Sequence, residues 1–272
     1  MKKDKIHIVC SDGYRMKLLV YHSDKPSEKA TGVLWIHGGG YVTGMAAMAG
    51  TMGRAPALVR KFGAVVVSPE YRVGRKGRYP NALNDCYEAL RYMVGHSEEL
   101  GINRNQIFVG GESAGGGLAS ALCMLTRDRK EIAIAYQMPL YPMLDDRDTA
   151  SSQHNYNIVW NTPLNHFGWR TYLGPLYKAD DVPPYAAPAR QTDLSNLPPL
   201  YTFVSTGDPF YCETVAFVEA LQAAGVDAQM DIYKGLFHSF DAHLPFIRTS
   251  RQAILRFEAA FRKAQTSCFK AN

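Results

Sequence analysis

The sequence has few cysteines, and their spacing shows no pairing pattern. Only five occur in 272 residues, and no two of them form a Cys-x-x-Cys motif. An odd number of scattered cysteines argues against a disulfide framework. Since disulfides persist mainly in oxidising compartments, we expect reduced thiols and a cytoplasmic protein.

Long apolar runs and charge of one sign are also missing. No run approaches the length of a membrane span, and the apolar part of the N-terminus is too short for a signal peptide. The formal net charge is only +5. The densest basic stretch, residues 72–78, has no aromatic interleaving and fits no nucleic-acid-binding module, so we interpret it as a solvated loop. We therefore predict no membrane partner and no nucleic-acid partner.

What remains is an ordinary globular composition in which short apolar runs alternate with helical patterns. Residues 6–9 and 14–21 predict an opening antiparallel hairpin. Further predicted strands are 32–36, 64–67, 107–110, 132–138, 201–205 and 229–233, and predicted helices include 55–62, 118–125, 213–224 and 249–264. Such alternation predicts an α/β fold with a mostly parallel central sheet and helices on both faces.

Residues 144–198 interrupt this alternation. They contain no clean strand, several prolines and a cluster of aromatic residues: Tyr156, Trp160, Phe167, Trp169, Tyr172, Tyr177 and Tyr185. A loop this long inside a compact domain is usually functional, so we predict a short helical lid over the carboxyl ends of the strands. An ordinary surface excursion is the alternative. The segment is too short for an independent core, so residues 1–272 are predicted to form a single domain.

The chain is organised around residues 107–117, where a predicted strand leads into Gly111-Glu112-Ser113-Ala114-Gly115 and then a helical stretch. This G-x-S-x-G motif between strand and helix is typical of a nucleophilic serine held on a sharp elbow. Gly111 and Gly115 suit such an elbow because only small residues fit beside it. A glycine-rich turn with an ordinary surface serine is the alternative. The nucleophile is favoured over this alternative only if the other residues of an acyl-transfer site follow in the right order along the chain.

The run His37-Gly38-Gly39-Gly40 directly follows the predicted strand 32–36. In esterases and lipases a run of this type supplies backbone N–H groups that stabilise an oxyanion. We predict the N–H groups of Gly39, Gly40 and Ala114 as the donors, with His37 and Gly38 supporting the loop. A phosphate-binding loop is disfavoured because the Lys-Ser/Thr ending is missing.

A serine nucleophile requires a base, and in this fold class the order along the chain is Ser, then Asp or Glu, then His. Four histidines follow Ser113. His154 and His166 lie in the predicted lid, whereas His238 follows the last predicted strand. We therefore predict His238 as the base. His243 is the alternative base, with a structural role as its default interpretation.

The acid that orients the histidine is predicted to be Asp208. It follows the predicted strand 201–205 directly and precedes His238 by thirty residues. The carboxyl ends of parallel strands meet at one edge of the sheet, so both side chains reach the same place. The rival acids, which lack this combination of strand end and chain order, are Asp145, Asp146, Asp148 and Asp231.

With these residues in place, the chain resembles the hormone-sensitive-lipase-like family of α/β-hydrolases, which includes bacterial carboxylesterases. The resemblance covers about residue 30 to the C-terminus and rests on His37-Gly38-Gly39-Gly40, Glu70-Tyr71-Arg72, Gly111-Glu112-Ser113-Ala114-Gly115-Gly116, Asp208-Pro209 with Glu213, and Gly235-Leu236-Phe237-His238-Ser239-Phe240. It implies a serine esterase with Ser113 as nucleophile, His238 as base and Asp208 as acid. It also implies an oxyanion hole formed by Gly39, Gly40 and Ala114.

Three departures from the family pattern concern the substrate and the assembly. Only 36 residues precede His37, where larger relatives carry a helical part of the cap. Phe210-Tyr211-Cys212 stands where many relatives have Leu-Arg-Asp, and residues 73–78 replace their usual Leu-Ala-Pro-Glu. We therefore expect a minimal cap, with the catalytic core unchanged.

The resulting prediction is a serine carboxylesterase that acts on a small-molecule ester without a metal or an organic cofactor. A reduced cap offers little apolar wall, so acyl groups from acetyl to about butyryl are expected. Deacetylation of carbohydrates is a further hypothesis, based on the aromatic lid. The alternatives are a non-catalytic small-molecule binding protein on the same scaffold and a serine peptidase. A homo-oligomer is among the assemblies that the sequence allows.

Overall fold

The computed structural model describes residues 1–24, 29–51 and 53–271. Eight strands form one sheet in the order β1-β2-β4-β3-β5-β6-β7-β8. The strands are Lys2–Val9 (β1), Arg15–His22 (β2), Ala30–Ile36 (β3), Val65–Pro69 (β4), Ile102–Glu112 (β5), Tyr136–Leu140 (β6), Leu200–Ser205 (β7) and Ala228–Tyr233 (β8). β1 pairs antiparallel with β2, and β2 pairs antiparallel with β4. The strands β3 to β8 are parallel to one another. The predicted α/β class and the opening hairpin are therefore confirmed.

Helices cover both faces of the sheet and enclose two hydrophobic cores. They are Met48–Thr51 (α1), Ala55–Phe62 (α2), Asn81–Gly95 (α3), Ala114–Arg129 (α4), Thr162–Leu173 (α5), Tyr211–Ala223 (α6), Phe240–His243 (α7) and Arg248–Ser267 (α8). One core contains side chains from α3, α4, α5 and α6. The other contains side chains from α2 and α8. Among the described residues, no helix combines the length and the apolar character that crossing a membrane requires.

Local signals set several of these boundaries. α2 ends where the sequence predicts, because Gly63 adopts a left-handed conformation (φ 66°) and its N–H donates to the carbonyls of Leu58 and Val59. The predicted strand 132–138 begins too early and ends too early. β6 begins at Tyr136 and continues through Pro139.

The strand tolerates Pro139 because only one interstrand bond is lost there. Within β6 and just beyond it, the N–H groups of Gln137 and Tyr141 donate to Pro199 and Phe203 on the β7 side. Pro139 lies midway between these two donors, at the position whose N–H would also face β7. A proline there removes one donor and leaves the pairing with β5 intact.

The segment 144–198 is only partly helical. It contains α5 and the short 3-10 turns Gly174–Leu176 and Pro188–Arg190, and the rest of it is irregular. Trp169 and Tyr172 are buried in the core beside α3 and α4. Tyr156 and Phe167 are exposed instead. Much of the segment therefore packs onto the domain as a structural layer, and only a small part of it reaches the site described below.

Candidate active site

Ser113 lies on a sharp turn between β5 and α4, with φ 58° and ψ −123°. A non-glycine residue rarely adopts a positive φ, and such strain is typical of functional sites. The turn is possible because its glycine neighbours pass very close to other backbone atoms. A Cβ on Gly115 would lie 2.2 Å from the carbonyl oxygen of Ile36, and one on Gly111 would lie 2.5 Å from it. The turn is also held from outside, since the Ser113 carbonyl accepts a bond from the N–H of Met143.

A chain of hydrogen bonds joins Ser113 to two further predicted residues. The Ser113 Oγ lies 2.9 Å from Nε2 of His238, and Nδ1 of His238 lies 2.7 Å from Oδ2 of Asp208. The three residues are 7%, 3% and 1% exposed. They follow β5, β8 and β7 respectively, so the carboxyl ends of parallel strands bring them together.

The chemistry of the partners sets the direction of each bond. An ionised carboxylate can only accept, so Nδ1–H of His238 donates to Asp208. Nε2 then carries the lone pair that accepts the Ser113 hydroxyl proton. The Asp208 carboxylate is oriented in turn, because its Oδ1 accepts the N–H of Phe210 at 2.9 Å. Two aromatic rings hold the imidazole edge to face, with centroid distances of 4.9 Å to Phe210 and 5.1 Å to Tyr141.

The rival acids and bases are engaged elsewhere. Each rival aspartate binds another partner: Asp145 pairs with Arg147, Asp146 with Arg190, Asp148 with His166, and Asp231 with Tyr201 and Arg256. His154 is exposed in the segment 144–198. His243 lines the same cavity as Ser113, but it is exposed at the end of α7 rather than packed as a structural histidine. Only His238 bonds to the Ser113 hydroxyl among the described residues.

The glycine loop after β3 lies against this serine. Gly39 and Gly40 have positive φ values of 119° and 59°. A Cβ on Gly39 would lie 2.1 Å from the carbonyl oxygen of Thr43, so a larger residue does not fit. In the described part of the chain, the N–H groups of Gly39 and Gly40 have no protein acceptor. The N–H of Ala114, the first residue of α4, has no acceptor within its helix either.

His37 supports this loop through a hydrogen bond to Gly38 and a stacking contact with Tyr71. It is buried, its Nδ1–H donates to the Gly38 carbonyl at 2.8 Å, and its ring stacks on Tyr71 at a centroid distance of 4.2 Å. The Tyr71 hydroxyl donates to the His37 carbonyl at 2.8 Å. Burial lowers the pKa of His37 to about 4, so the imidazole is neutral near pH 7. Its contacts are those of a residue that supports the loop.

Known proteins share both the sequence and this architecture. Residues 33–242 match a family described as alpha/beta hydrolase fold. Esterase LipI of Mycobacterium tuberculosis is 30% identical over 85% of this chain and 72% of its own length. An ethyl acetate hydrolase of Pseudomonas putida is 28% identical over 86% of this chain and 74% of its own. The structure of a bacterial heroin esterase is 33% identical, superposes with a TM-score of 0.92, and covers 97% of this chain and 84% of that one.

The chain belongs to the hormone-sensitive-lipase-like carboxylesterase family. This confirms the resemblance, the α/β-hydrolase fold and the class of carboxylic ester hydrolase predicted from the sequence.

In this member of the family, the serine opens into a cavity of about 250 Å³. The surface of its wall is mainly apolar, and three of the side chains that line it come from widely separated parts of the chain: Met48, Tyr141 and Trp160. Trp160 lies over the glycine loop, because a Cβ on Gly40 would fall 2.0 Å from its indole ring. Val159 and Trp160 are the part of the segment 144–198 that lines the cavity.

Sequence reasoning missed several residues of this wall. Glu112, a variable position of the G-x-S-x-G motif, lines the cavity. Met48, Gly53 and Ala242 also line it and carry no sequence signal. Their proximity arises from tertiary packing, whereas Glu112 could have been found from its place next to Ser113. Within the described residues, no three metal-ligating side chains cluster, and the absence of a cofactor stays a prediction.

Proposed function

We propose that this carboxylic ester hydrolase cleaves small, short-acyl esters through an acyl-serine intermediate, with Ser113 as nucleophile, His238 as base and Asp208 as orienting acid. The observation that carries the proposal is the continuous chain of hydrogen bonds from Ser113 through His238 to Asp208. Ionised Asp208 favours the imidazole tautomer whose Nε2 faces the serine.

The reaction then proceeds in two halves. As Ser113 Oγ attacks the ester carbonyl carbon, its proton moves to Nε2 of His238. The tetrahedral intermediate collapses, the bond from carbon to the alcohol oxygen breaks, and His238 returns the proton to the departing alcohol. Water then repeats the sequence on the acyl-serine: His238 takes a proton from water, the acid is released, and the proton returns to Ser113.

The negative charge on the carbonyl oxygen needs fixed donors. We assign these to the N–H groups of Gly39, Gly40 and Ala114, which have no protein acceptor among the described residues. Donors that are already in place when charge develops lower the barrier without reorganisation. Gly38, Gly111 and Gly115 contribute by allowing the loop and the elbow to pack together, since a Cβ on Gly38 would lie 3.0 Å from the Glu112 carbonyl oxygen.

Gly39→Ala tests the loop. Alanine is strained at φ 119° and would collide with the Thr43 carbonyl, so the N–H donors must move. We expect kcat for p-nitrophenyl acetate to fall by about 10²-fold or more, the usual cost of losing an oxyanion donor. Gly13→Ala is the matched control, because Gly13 also has a positive φ but its Cβ position is open. Equal activities in the two variants would contradict the assignment.

The size of the cavity supports a short acyl group. A volume of about 250 Å³ lies at the small end for ligand pockets, and it must also admit part of the alcohol. With p-nitrophenyl esters of increasing chain length, we expect the highest kcat/KM from acetate to butyrate. A decanoate ester should be slower by about tenfold or more, because a chain too long for the cavity must displace packed side chains of its wall, which costs about 1–3 kcal/mol. A preference for decanoate or longer esters would refute the proposal.

Deacetylation of carbohydrates is a second candidate function, which depends on an aromatic ring at the cavity. Of the seven aromatic residues in the segment 144–198, Trp160 lines the cavity, while Trp169 and Tyr172 are buried in a core. One ring is thus available for stacking on a sugar. Release of acetate from acetylated xylose or cellobiose would be needed to establish it. The assembly state and the cytoplasmic location stay predictions.

A further inference from the structure

Glu112 places a carboxylate in the wall of the cavity, directly beside the nucleophile. Its Oε2 accepts the indole N–H of Trp35 at 2.9 Å. In the described part of the chain, Oε1 has no hydrogen-bond partner, and it lies next to Gly53, since a Cβ on that glycine would be 3.1 Å from it. Both Glu112 and Gly53 line the cavity. One oxygen is therefore fixed by the protein, and the other is free to accept from a ligand.

The charges of the groups around Glu112 nearly cancel one another. Arg54, which precedes α2, forms a buried ion pair with Asp241 of α7. Tyr141, which follows β6, is neutral because burial raises the pKa of its hydroxyl. Two histidines line the cavity as well: His243 of α7, which is exposed, and His238, which bonds to Ser113 and Asp208. An ionised Glu112 therefore supplies the net charge of an otherwise mainly apolar wall.

A carboxylate in such a wall is costly without a partner. Burial raises the pKa of Glu112 to about 7, although Arg54 and the Trp35 hydrogen bond act in the opposite direction. Near pH 7 the group is thus balanced between its neutral and ionised forms. A cation at Oε1 would favour the ionised form, whereas a neutral ligand would leave the carboxylate unpaired or protonated.

We propose that Glu112 is a specificity residue that binds a protonated amino group of the substrate, so that the cavity prefers esters of amino alcohols over uncharged esters of the same shape. The ammonium N–H would donate to Oε1, and charge-assisted bonds of this kind are the strong ones. Since the substrate is an ester cleaved at Ser113, this inference rests on the proposed function.

Two acetates of the same shape test the inference: 2-(dimethylamino)ethyl acetate, which carries a protonated amine, and 3-methylbutyl acetate, its uncharged analogue. The readout is the ratio of kcat/KM for the charged ester to that for the neutral one. Glu112→Gln keeps the length of the side chain and an acceptor for Trp35 but removes the charge. We expect the ratio to fall by about tenfold or more, because a charge-assisted bond becomes a neutral one.

The ratio separates specificity from general damage. A structural effect of Glu112→Gln lowers both rates and leaves the ratio unchanged, and that result would overturn the inference. Glu219→Gln, an exposed substitution on α6, is the control and should leave the ratio at its wild-type value. Failure of the wild type to hydrolyse the neutral ester would instead overturn the proposed function, and this inference with it.

A second measurement needs no variant. In the wild type, the ratio should rise between about pH 6 and about pH 7.5, because Glu112 ionises across this interval while the aliphatic amine stays protonated. A ratio that is constant over this interval, or one that falls, would overturn the inference even if Glu112→Gln fails to fold.

Discussion

Ser113→Ala is expected to lower kcat for p-nitrophenyl acetate by about 10⁴-fold or more. The variant keeps the cavity and the N–H donors but has no oxygen to form the acyl intermediate. His238→Ala should cost a similar factor, because the serine then has no base within 2.9 Å. Since the two residues act as one unit, the double variant should be no worse than either single variant. Steady-state kinetics on all three variants provide the test.

Ser120→Ala is the matched control for this experiment. Ser120 lies on the same helix as the elbow, is buried, and its hydroxyl has no partner in the described part of the chain. Its removal should leave kcat within about threefold, because no bond is lost. Rapid quenching of the wild type followed by mass spectrometry should also locate an acetyl group on Ser113. Near wild-type activity in Ser113→Ala would refute an acyl-serine mechanism.

The serine elbow and the glycine loop were accessible from the sequence because their chemistry restricts the residue types. A Cβ on Gly115 or Gly39 would lie within 2.2 Å of a backbone oxygen, so only glycine fits at these two positions. The glycines in the sequence therefore indicate the close backbone packing directly. Ser113 has the positive φ that the strained elbow of a G-x-S-x-G motif requires. In the elbow and the glycine loop, the local sequence therefore determines the backbone geometry.

The assignment of Asp208 depended on a different argument, from topology. Asp208 has four rival aspartates, and nothing in Gly207-Asp208-Pro209 alone separates a catalytic acid from a turn. The decisive property is its place directly after a predicted strand, combined with the chain order Ser, Asp, His. The structure shows why this works, since β7 and β8 are neighbours in the sheet and end at the same edge.

The residues that line the cavity could not be predicted from local motifs or from strand order. Met48 and Trp160 meet there although more than a hundred residues separate them, and no periodic pattern records such contacts. Aromatic content alone does not place the segment 144–198 either, because Trp169 and Tyr172 lie in a core while Trp160 lines the cavity. Composition indicates that a segment is buried somewhere, but which surface it covers is decided by packing.

Asp208→Asn is expected to lower kcat by about 10⁴-fold with little change in shape. The backbone N–H of Phe210 donates to Oδ1 in the wild type, and an asparagine keeps this bond by placing its carbonyl oxygen there. Its NH₂ group then faces Nδ1 of His238, which must become the acceptor. The imidazole proton moves to Nε2, so the ring can no longer take the proton of Ser113. Measurement of kcat together with the melting temperature separates this effect from unfolding.

Asp148→Asn offers a close comparison, because Asp148 also bonds to a histidine. Its Oδ1 lies 2.7 Å from Nε2 of His166, the same separation as between Asp208 and His238, but this pair is exposed and lies outside the cavity. The same change of tautomer there should leave kcat within about twofold, since exposed ion pairs contribute little. A loss confined to Asp208→Asn would show that burial beside the nucleophile makes the tautomer matter. If instead Asp208→Asn kept more than about a tenth of the wild-type kcat, Asp208 could not be the acid that orients His238.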